Sequence, residues 1–267
     1  MSENVKLAEH TWPEVEALLK RDPVAVIPVG AFEQHGHHLP LMVDAHMAGT
    51  VCEAAARKAQ GDGTDIVVTP TVWTGYSPHH MGFPGSVTLD DDTFSAVVGH
   101  VARSLARHGF RRIAIINGHG GNMNLIKNLT QTLFYEHGIR AAAASYWDFA
   151  LADLAAWRQS ETGGIMHACE METALMLATR PDLVRMDEAA DQLLDRSTYF
   201  GADLLAGGSV ASAATFRELS PSGVIGAPTL ATGERGEALL ETMVARLATF
   251  FADFATWPLG EKEETRT

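Results

Sequence analysis

Residues 24–46 of the chain read VAVIPVGAFEQHGHHLPLMVDAH and combine an apolar run with a polar, histidine-rich loop. The apolar run Val24–Gly30 is short and ends in glycine, which predicts a buried strand. Apolar residues then recur at helical spacing over Asp44–Gln60, which predicts a helix. The stretch therefore predicts a strand, a polar loop at its carboxyl end, and a helix.

The same alternation continues along the chain and predicts a three-layer α/β/α fold with a mostly parallel central sheet. Ligands of such sheets bind beyond the carboxyl ends of the strands. The loops after Gly30, Val72, Asn117 and Tyr146 should therefore converge on one cleft. Further strands are predicted over 65–72, 112–117 and 140–146, and further helices over 90–108, 122–137 and 168–178.

The length of 267 residues and the continuous pattern favour one domain over 1–267. Its core is predicted over 8–255, and 256–267 is interpreted as a charged tail. The Gly/Ser/Pro-rich stretch 207–236 is too long for a simple turn and is interpreted as a functional loop or a lid.

Charge and composition exclude several classes of function. The chain has 20 Lys and Arg against 33 Asp and Glu, a formal net charge of -13, which argues against a nucleic-acid surface or an anionic membrane face. Only 2 cysteines are present, so there is no disulfide framework. Neither a signal peptide nor a membrane-spanning apolar run is recognisable, and we expect a cytoplasmic protein.

The 12 histidines are unevenly placed, and several stand beside carboxylates in the predicted cleft. Glu33, His35 and Asp44 follow the first strand, and His119 follows the third. Carboxylates and imidazoles are the ligands of catalytic zinc and manganese sites, which favours a metal centre over a merely solvated loop. The turn Asn117–Asn122 could instead cradle a phosphate, but its spacing matches neither a P-loop nor a dinucleotide fingerprint.

Other polar residues of the loops are candidates for catalysis or substrate binding. Glu170 and Glu172 are two apart on a predicted helix, so only one of them is expected to enter the cleft. His167, just before that helix, is a candidate acid or base. Candidate substrate contacts are Ser77, His80, Gly120, Gly121 and Trp147.

Five motifs in this order resemble the creatininase (creatinine amidohydrolase) family. They are PVGAFEQHGHHLPLMVDAH (28–46), SPHHMGFPGSVTL (77–89), INGHGGN (116–122), HACEMETALML (167–177) and SGVIGAPTLATGERG (222–236). The resemblance implies an α/β fold, two divalent metal ions per chain (zinc or manganese, with iron as an alternative) and a homohexamer. It also implies hydrolysis of a C–N bond in a small-molecule amide, by a water that the two ions activate.

The same resemblance assigns roles to individual residues. Metal ligands would be Glu33, His35, Asp44, His119 and Glu172, with Asp44 bridging the two ions. The proton carrier would be His167, with Glu170 as a nearby alternative.

The chain departs from creatininase itself in two places. Gly120 and Gly121 stand where that enzyme has an aromatic residue and a glutamate, so one metal ligand is missing from this turn and Glu172 is its replacement. The aromatic residue that closes over creatinine is also absent, with Gly163 and Gly164 nearby instead, which argues against creatinine as the substrate. A creatinine-like lactam or imide is the first expectation. The alternatives are a deformylase acting on a pyrimidine-type intermediate and a non-enzymatic, metal-stabilised binding subunit.

Overall fold

A parallel sheet of four strands forms the centre of the computed structural model, which describes residues 4–194 and 199–259. The strand order is β2-β1-β3-β4, and every pairing is parallel. The sheet confirms the predicted α/β class. Its strands are β1 (Val24–Val29), β2 (Ile66–Val68), β3 (Arg112–Asn117) and β4 (Arg140–Ser145).

Helices cover both faces of the sheet, because side chains of alternate residues in each strand point to opposite faces. On one face, Val24 and Val26 of β1 join a core with α2, α6 and α8, whereas Ala25 and Ile27 join a second core with α3 and α4. The helices are α1 (Trp12–Leu19), α2 (Val43–Gly61), α3 (Asp91–His108), α4 (Met123–His137), α5 (Leu151–Trp157), α6 (Glu170–Thr179), α7 (Phe216–Leu219) and α8 (Gly233–Phe254).

Two predicted elements differ from their observed bounds by more than one residue at an end, for local reasons. Strand β2 ends at Val68 instead of Val72, just before Pro70, which has no N–H to donate to a ladder. Helix α6 begins at Glu170 instead of Ala168, because Ala168 has a left-handed backbone with φ of 49°.

Four helices and a small second sheet were not predicted. Helices α1, α5, α7 and α8 fall where no periodic pattern was assigned. Strand β5 (Ile165–His167) pairs antiparallel with β6 (Ile225–Gly226). Together β5 and β6 bring residues about sixty positions apart in the sequence to the cleft.

The stretch 207–236 is not one irregular loop, since it contains α7, β6 and the start of α8. Of the expected tail, 260–267 lie outside the described residues. Among the residues described, none of the helices is both long and apolar enough to cross a membrane.

Candidate metal centre

The loops after β1 and β3 lie side by side, because these strands are neighbours in the sheet. The chain runs from β1 outward to β2 and then returns to β3, so β1 and β3 flank the switch point where open α/β sheets bind ligands. Glu33 and His35 come from the first loop, and His119 comes from the second.

His35 is fully buried and is held by its own loop. Its Nδ1–H donates to the backbone carbonyl of Glu33 at 3.1 Å, which leaves Nε2 as the available lone pair. Nε2 lies 3.1 Å from Asp44 Oδ1 and 3.7 Å from Glu172 Oε1. His35 therefore faces two carboxylates with the nitrogen that could bind a cation.

His119 faces the same place from β3. Its Nε2–H donates to the carbonyl of Tyr76 at 3.1 Å, and its Nδ1 lies 3.2 Å from Glu33 Oε1 and 3.1 Å from Asp44 Oδ2. The backbone of His119 is braced by Asn117, whose side chain accepts from its N–H and donates to its carbonyl. Hydrogen bonds therefore hold both the backbone of His119 and the Nε2 edge of its ring.

Asp44 lies in the first turn of α2 and stands between the two histidines. Its Oδ1 faces His35, and its Oδ2 faces His119. This is the disposition of a carboxylate that could bridge two cations.

Of the two glutamates at the start of α6, only Glu172 reaches the cleft. Its Oε2 accepts from the backbone N–H of Cys169 at 3.2 Å, and its Oε1 faces His35. The assignment of Glu170 to proton transfer is wrong: its carboxylate accepts from the backbone N–H groups of Gln159 and Ser160, both at 3.0 Å, outside the cleft. Glu170 thus anchors the loop before β5.

Gln34 determines which nitrogens of His80 and His167 carry protons. Its Oε1 accepts from the N–H of Gly36, and its amide nitrogen donates to Nδ1 of His80 at 3.0 Å and to the carbonyl of Gly223 at 3.1 Å. The amide nitrogen also lies 3.0 Å from Nε2 of His167, but that ring nitrogen lies 2.8 Å from the backbone carbonyl of Gln34, which can only accept a hydrogen bond. We therefore assign the proton of His167 to Nε2.

These bonds fix both ring tautomers. Nδ1 of His167 is left without a proton, 3.7 Å from Glu33 Oε1. Nε2 of His80, which carries its proton, lies 3.2 Å from the same oxygen but not in hydrogen-bonding geometry.

The remaining candidate substrate contacts fall into two groups. Gly120, Gly121, Trp147 and His80 line the cavity in front of the carboxylates. Ser77 does not, which corrects its assignment: it is fully buried behind His119, with its Oγ 3.3 Å from Nε2 of that ring.

Burial and neighbouring charges shift the pKa values of the cluster in opposite directions. Burial raises the pKa of Glu33, because it disfavours the carboxylate form. Burial opposes protonation of His119, but Glu33 and Asp44 outweigh it and raise the pKa of His119 to about 10. Burial, with His35 and His80 nearby, lowers the pKa of His167 well below its usual value.

The donor set fits divalent cations. Both carboxylate oxygens of Glu33 and Oδ2 of Asp44 are buried, with no hydrogen-bond partner among the residues described. Unpaired buried carboxylate oxygens are costly unless a cation satisfies them. Three sets of side chains could each bind an ion with ligand atoms within 4.8 Å of one another: Glu33, His79 and His119; Glu33, His35 and His167; His35, Asp44 and Glu172.

Two of the residues that shape the cluster were not among the candidates of the sequence analysis. Gln34 carries no distinguishing signal except its place between two candidate ligands. Asn122, whose side chain donates to the carbonyl of Gly30 and accepts from the N–H of Tyr76, stands at the helix start, where such residues are common.

The cavity in front of the cluster has a volume of about 660 Å³. It is lined by the four predicted loops and by residues 212–216, so convergence of the loops on one cleft is confirmed. The carboxylates lie on its wall and are open to a ligand.

Comparison with known proteins agrees with this arrangement. The family model described as creatininase, creatinine amidohydrolase, matches residues 8–251. Creatinine amidohydrolase of Pseudomonas putida is 33% identical over 265 residues, which cover 93% of this chain and 96% of that protein. A mycofactocin precursor peptide peptidase of Mycolicibacterium smegmatis is 33% identical over 226 residues, covering 83% of this chain and 81% of the relative.

Solved structures show the same fold. One named as creatininase with Mn has a TM-score of 0.79 at 30% identity, and it covers 96% of this chain and 100% of its own. A mutant creatininase of the Zn-Zn type has a TM-score of 0.79 at 31% identity, with the same coverage. With the family model matched over residues 8–251, the chain belongs to the creatininase family of amidohydrolases.

Proposed function

We propose that the protein hydrolyses a C–N bond of a small uncharged amide, a lactam or imide, at a centre of two divalent metal ions. The observation that carries this proposal is the set of buried carboxylate oxygens without hydrogen-bond partners, which faces an open cavity. Two similar structures, named with Mn and as a Zn-Zn type, support zinc or manganese.

Five residues would hold the ions: Glu33, His35, Asp44, His119 and Glu172. Bound at these residues, divalent cations supply Lewis acidity and a water of lowered pKa. The protein fixes the ligand atoms in advance, because the second nitrogen of His35 and of His119 is held by a backbone carbonyl.

His167 moves the proton in this proposal. Its Nδ1 carries no proton and faces the carboxylates, so it can accept a proton from the attacking water. The same atom then donates that proton to the departing amide nitrogen. The hydrogen bond from Nε2–H to the Gln34 carbonyl keeps the ring in the orientation that this transfer needs.

A second candidate is an open-chain amide, such as an N-formyl group or a peptide end. It is favoured by Gly120 and Gly121, which place no side chain in the cavity, and by the similarity to the peptide peptidase. A phosphate-bearing pyrimidine intermediate is disfavoured, since neither Lys nor Arg is among the described residues that line the cavity. A closed, purely structural metal site is disfavoured because the carboxylates face that cavity.

Metal analysis of purified protein tests the ligand set. We expect up to two ions per chain, and we expect Glu33→Gln and Glu172→Gln to lower the metal content and abolish turnover of a lactam and imide panel. Glu170→Gln is the matched control, because it lies on the same helix turn as Glu172 but outside the cleft; it should keep its metal. A folded wild-type protein that stays metal-free after reconstitution with zinc or manganese would contradict the proposal.

A further inference from the structure

The cavity is larger than a small lactam requires. Its volume of about 660 Å³ lies within the range of ~300–1,000 Å³ that is typical of pockets burying drug-sized ligands. A five-membered ring bound at the carboxylates leaves most of this space unfilled. The walls of that space are largely apolar: Trp147, Met166, Leu204, Phe216 and Leu219.

One apolar wall is held in place by a buried charge. The backbone N–H of Leu204 donates to the carbonyl of Ile165 at 2.9 Å, which places Leu204 beside β5 and therefore close to His167. The neighbouring Asp203 forms an ion pair with Arg158 at 2.9 Å and accepts from the N–H of Gly163 at 2.8 Å. The wall is thus fixed before a ligand binds.

A second apolar wall comes from α7. The ring of Phe216 is centred 4.0 Å from the ring of His80 and 4.7 Å from that of His167. Thr215 caps α7 by accepting from the N–H of Glu218, which fixes the start of this short helix. Phe216 therefore places an apolar face directly beside the proposed proton carrier.

With metal bound by neutral histidines, the charged side chains of the cavity are all carboxylates. They belong to Glu33, Asp44, Glu172 and Glu218, and Lys and Arg are absent from the described residues of its lining. Two bound divalent cations would balance these four negative charges and leave no net positive charge for an anionic substituent. An anionic substituent in the apolar space would meet no cationic side chain and would lose its hydration.

We propose that the substrate is an uncharged amide carrying an apolar substituent, and that Leu204 and Phe216 bracket this substituent beside the metal centre. This inference rests on the proposed function and names the substrate class of the same site. It makes Leu204 and Phe216 specificity residues. Both lie outside the five motifs by which the family was recognised.

The test uses zinc-loaded protein and three five-membered cyclic imides. One is unsubstituted, one carries a benzyl group, and one carries a carboxymethyl group. We expect the benzyl compound to bind at least about tenfold more tightly than the unsubstituted one, because its ring is removed from water. The carboxymethyl compound should bind more weakly than either. Calorimetry measures binding, and product formation measures kcat/KM.

Variants show whether the apolar wall causes the preference. Leu204→Ala should weaken binding of the benzyl compound more than that of the unsubstituted one. Leu204→Lys should reverse the order, so that the carboxymethyl compound binds better than the benzyl compound. Leu151→Ala is the control, because Leu151 is a leucine of α5 that is 39% exposed and outside the cavity lining; its preference should match the wild type.

Each outcome separates the two proposals. Preferential binding of the benzyl compound without turnover would support the apolar site and contradict the hydrolysis of imides. Turnover with equal kcat/KM for all three compounds would support the reaction and overturn the apolar site. An unchanged preference in Leu204→Lys would also overturn the role of Leu204.

Discussion

Gly120 and Gly121 are adjacent, yet only one of them has room for a side chain. A Cβ on Gly120 would have no atom within 4 Å, whereas a Cβ on Gly121 would lie 2.4 Å from Nε2 of His119 and 2.6 Å from the carbonyl of Tyr76. Gly121 therefore allows the ring of His119 to pack against its own turn. This explains the glycine at the second position but not at the first.

We therefore expect the same substitution to have different effects at Gly120 and at Gly121. Gly121→Ala should displace the His119 ring and weaken zinc binding at least about tenfold, since changes that disturb a ligand's orientation typically cost that much. Gly120→Ala should keep its zinc affinity. Competition with a chromogenic chelator measures both. Equal zinc affinity in the two variants would contradict the role given to Gly121.

Replacing Gln34 should change which nitrogens of the neighbouring histidine rings carry protons, and it should leave the fold unchanged. In Gln34→Glu the carboxylate cannot donate to Nδ1 of His80, so the tautomers of His80 and His167 should change. We expect kcat to fall about tenfold or more, with a smaller change in KM. Imidazole nitrogen shifts of the zinc-loaded protein, measured by NMR, report the tautomers directly.

The matched control for this change is Gln131→Glu, on the exposed surface of α4. It adds the same charge without touching either ring. Unaltered imidazole shifts in Gln34→Glu would refute the assignment of both tautomers.

Helix α6 carries Glu172 to the centre, and its position depends on α8. At Gly236 of α8, an added Cβ would lie 1.9 Å from the carbonyl oxygen of Ala174 on α6. The two helices therefore approach more closely than any larger residue at this position allows. Since neither backbone can yield at low cost, the closeness of this crossing fixes the position of α6 relative to α8.

Gly236→Ala should thus destabilise the protein by about 1–3 kcal/mol, the usual cost of overpacking a core. It should also lower zinc affinity, because α6 would move. Gly233→Ala is the control on the same helix: its added Cβ would meet nothing closer than 3.7 Å. Urea unfolding of both variants measures the difference, and similar midpoints would argue against the tight crossing.

Asp22 links distant parts of the whole molecule. It follows α1 in a left-handed backbone with φ of 56°, and its carboxylate pairs with Arg111 at 2.6 Å and with Arg112 at the start of β3. Arg112 in turn donates to the carbonyl of Trp257, beyond α8. The hydrogen bond from Arg111 lowers the pKa of Asp22, with Arg112 adding to the effect against burial.

Because the pKa of Asp22 is lowered in the folded protein, the stabilisation that its ion pairs supply depends on pH. It is fully present above the ordinary aspartate pKa of about 4 and is lost as the pH falls through the folded value. Asparagine tolerates the left-handed backbone at position 22, so Asp22→Asn removes the charge without straining the chain. This substitution should lower Tm by about 2 °C at pH 7 and change Tm little at acid pH. Thermal unfolding at several pH values, with the exposed Asp62→Asn as control, measures this. A Tm difference that grows towards acid pH would contradict it.

At the scale of the molecule, the single domain, the homo-oligomer and the cytoplasmic location stay predictions. Large apolar side chains lie exposed on the described surface, including Trp12 at 77% and Tyr135 at 80%. They make measurement of the oligomeric state worthwhile.

The sequence by itself determined the α/β class, and it indicated most of the candidate metal ligands. The strand VAVIPV at 24–29 is apolar throughout, and it is followed directly by a loop with a carboxylate and histidines. These signals are local, because periodicity and turn chemistry act over a few residues.

Only the tertiary structure decided which glutamate faces the cleft, which histidine nitrogens carry protons and which residues line the cavity. Each of these depends on contacts between residues far apart in the chain. Gln34 and His167 are 133 positions apart, and Glu170 is taken out of the cleft by the backbone of Gln159 and Ser160. The spacing of two glutamates along a helix limits how many of them can face the cleft. The packing of the surrounding loops decides which one does.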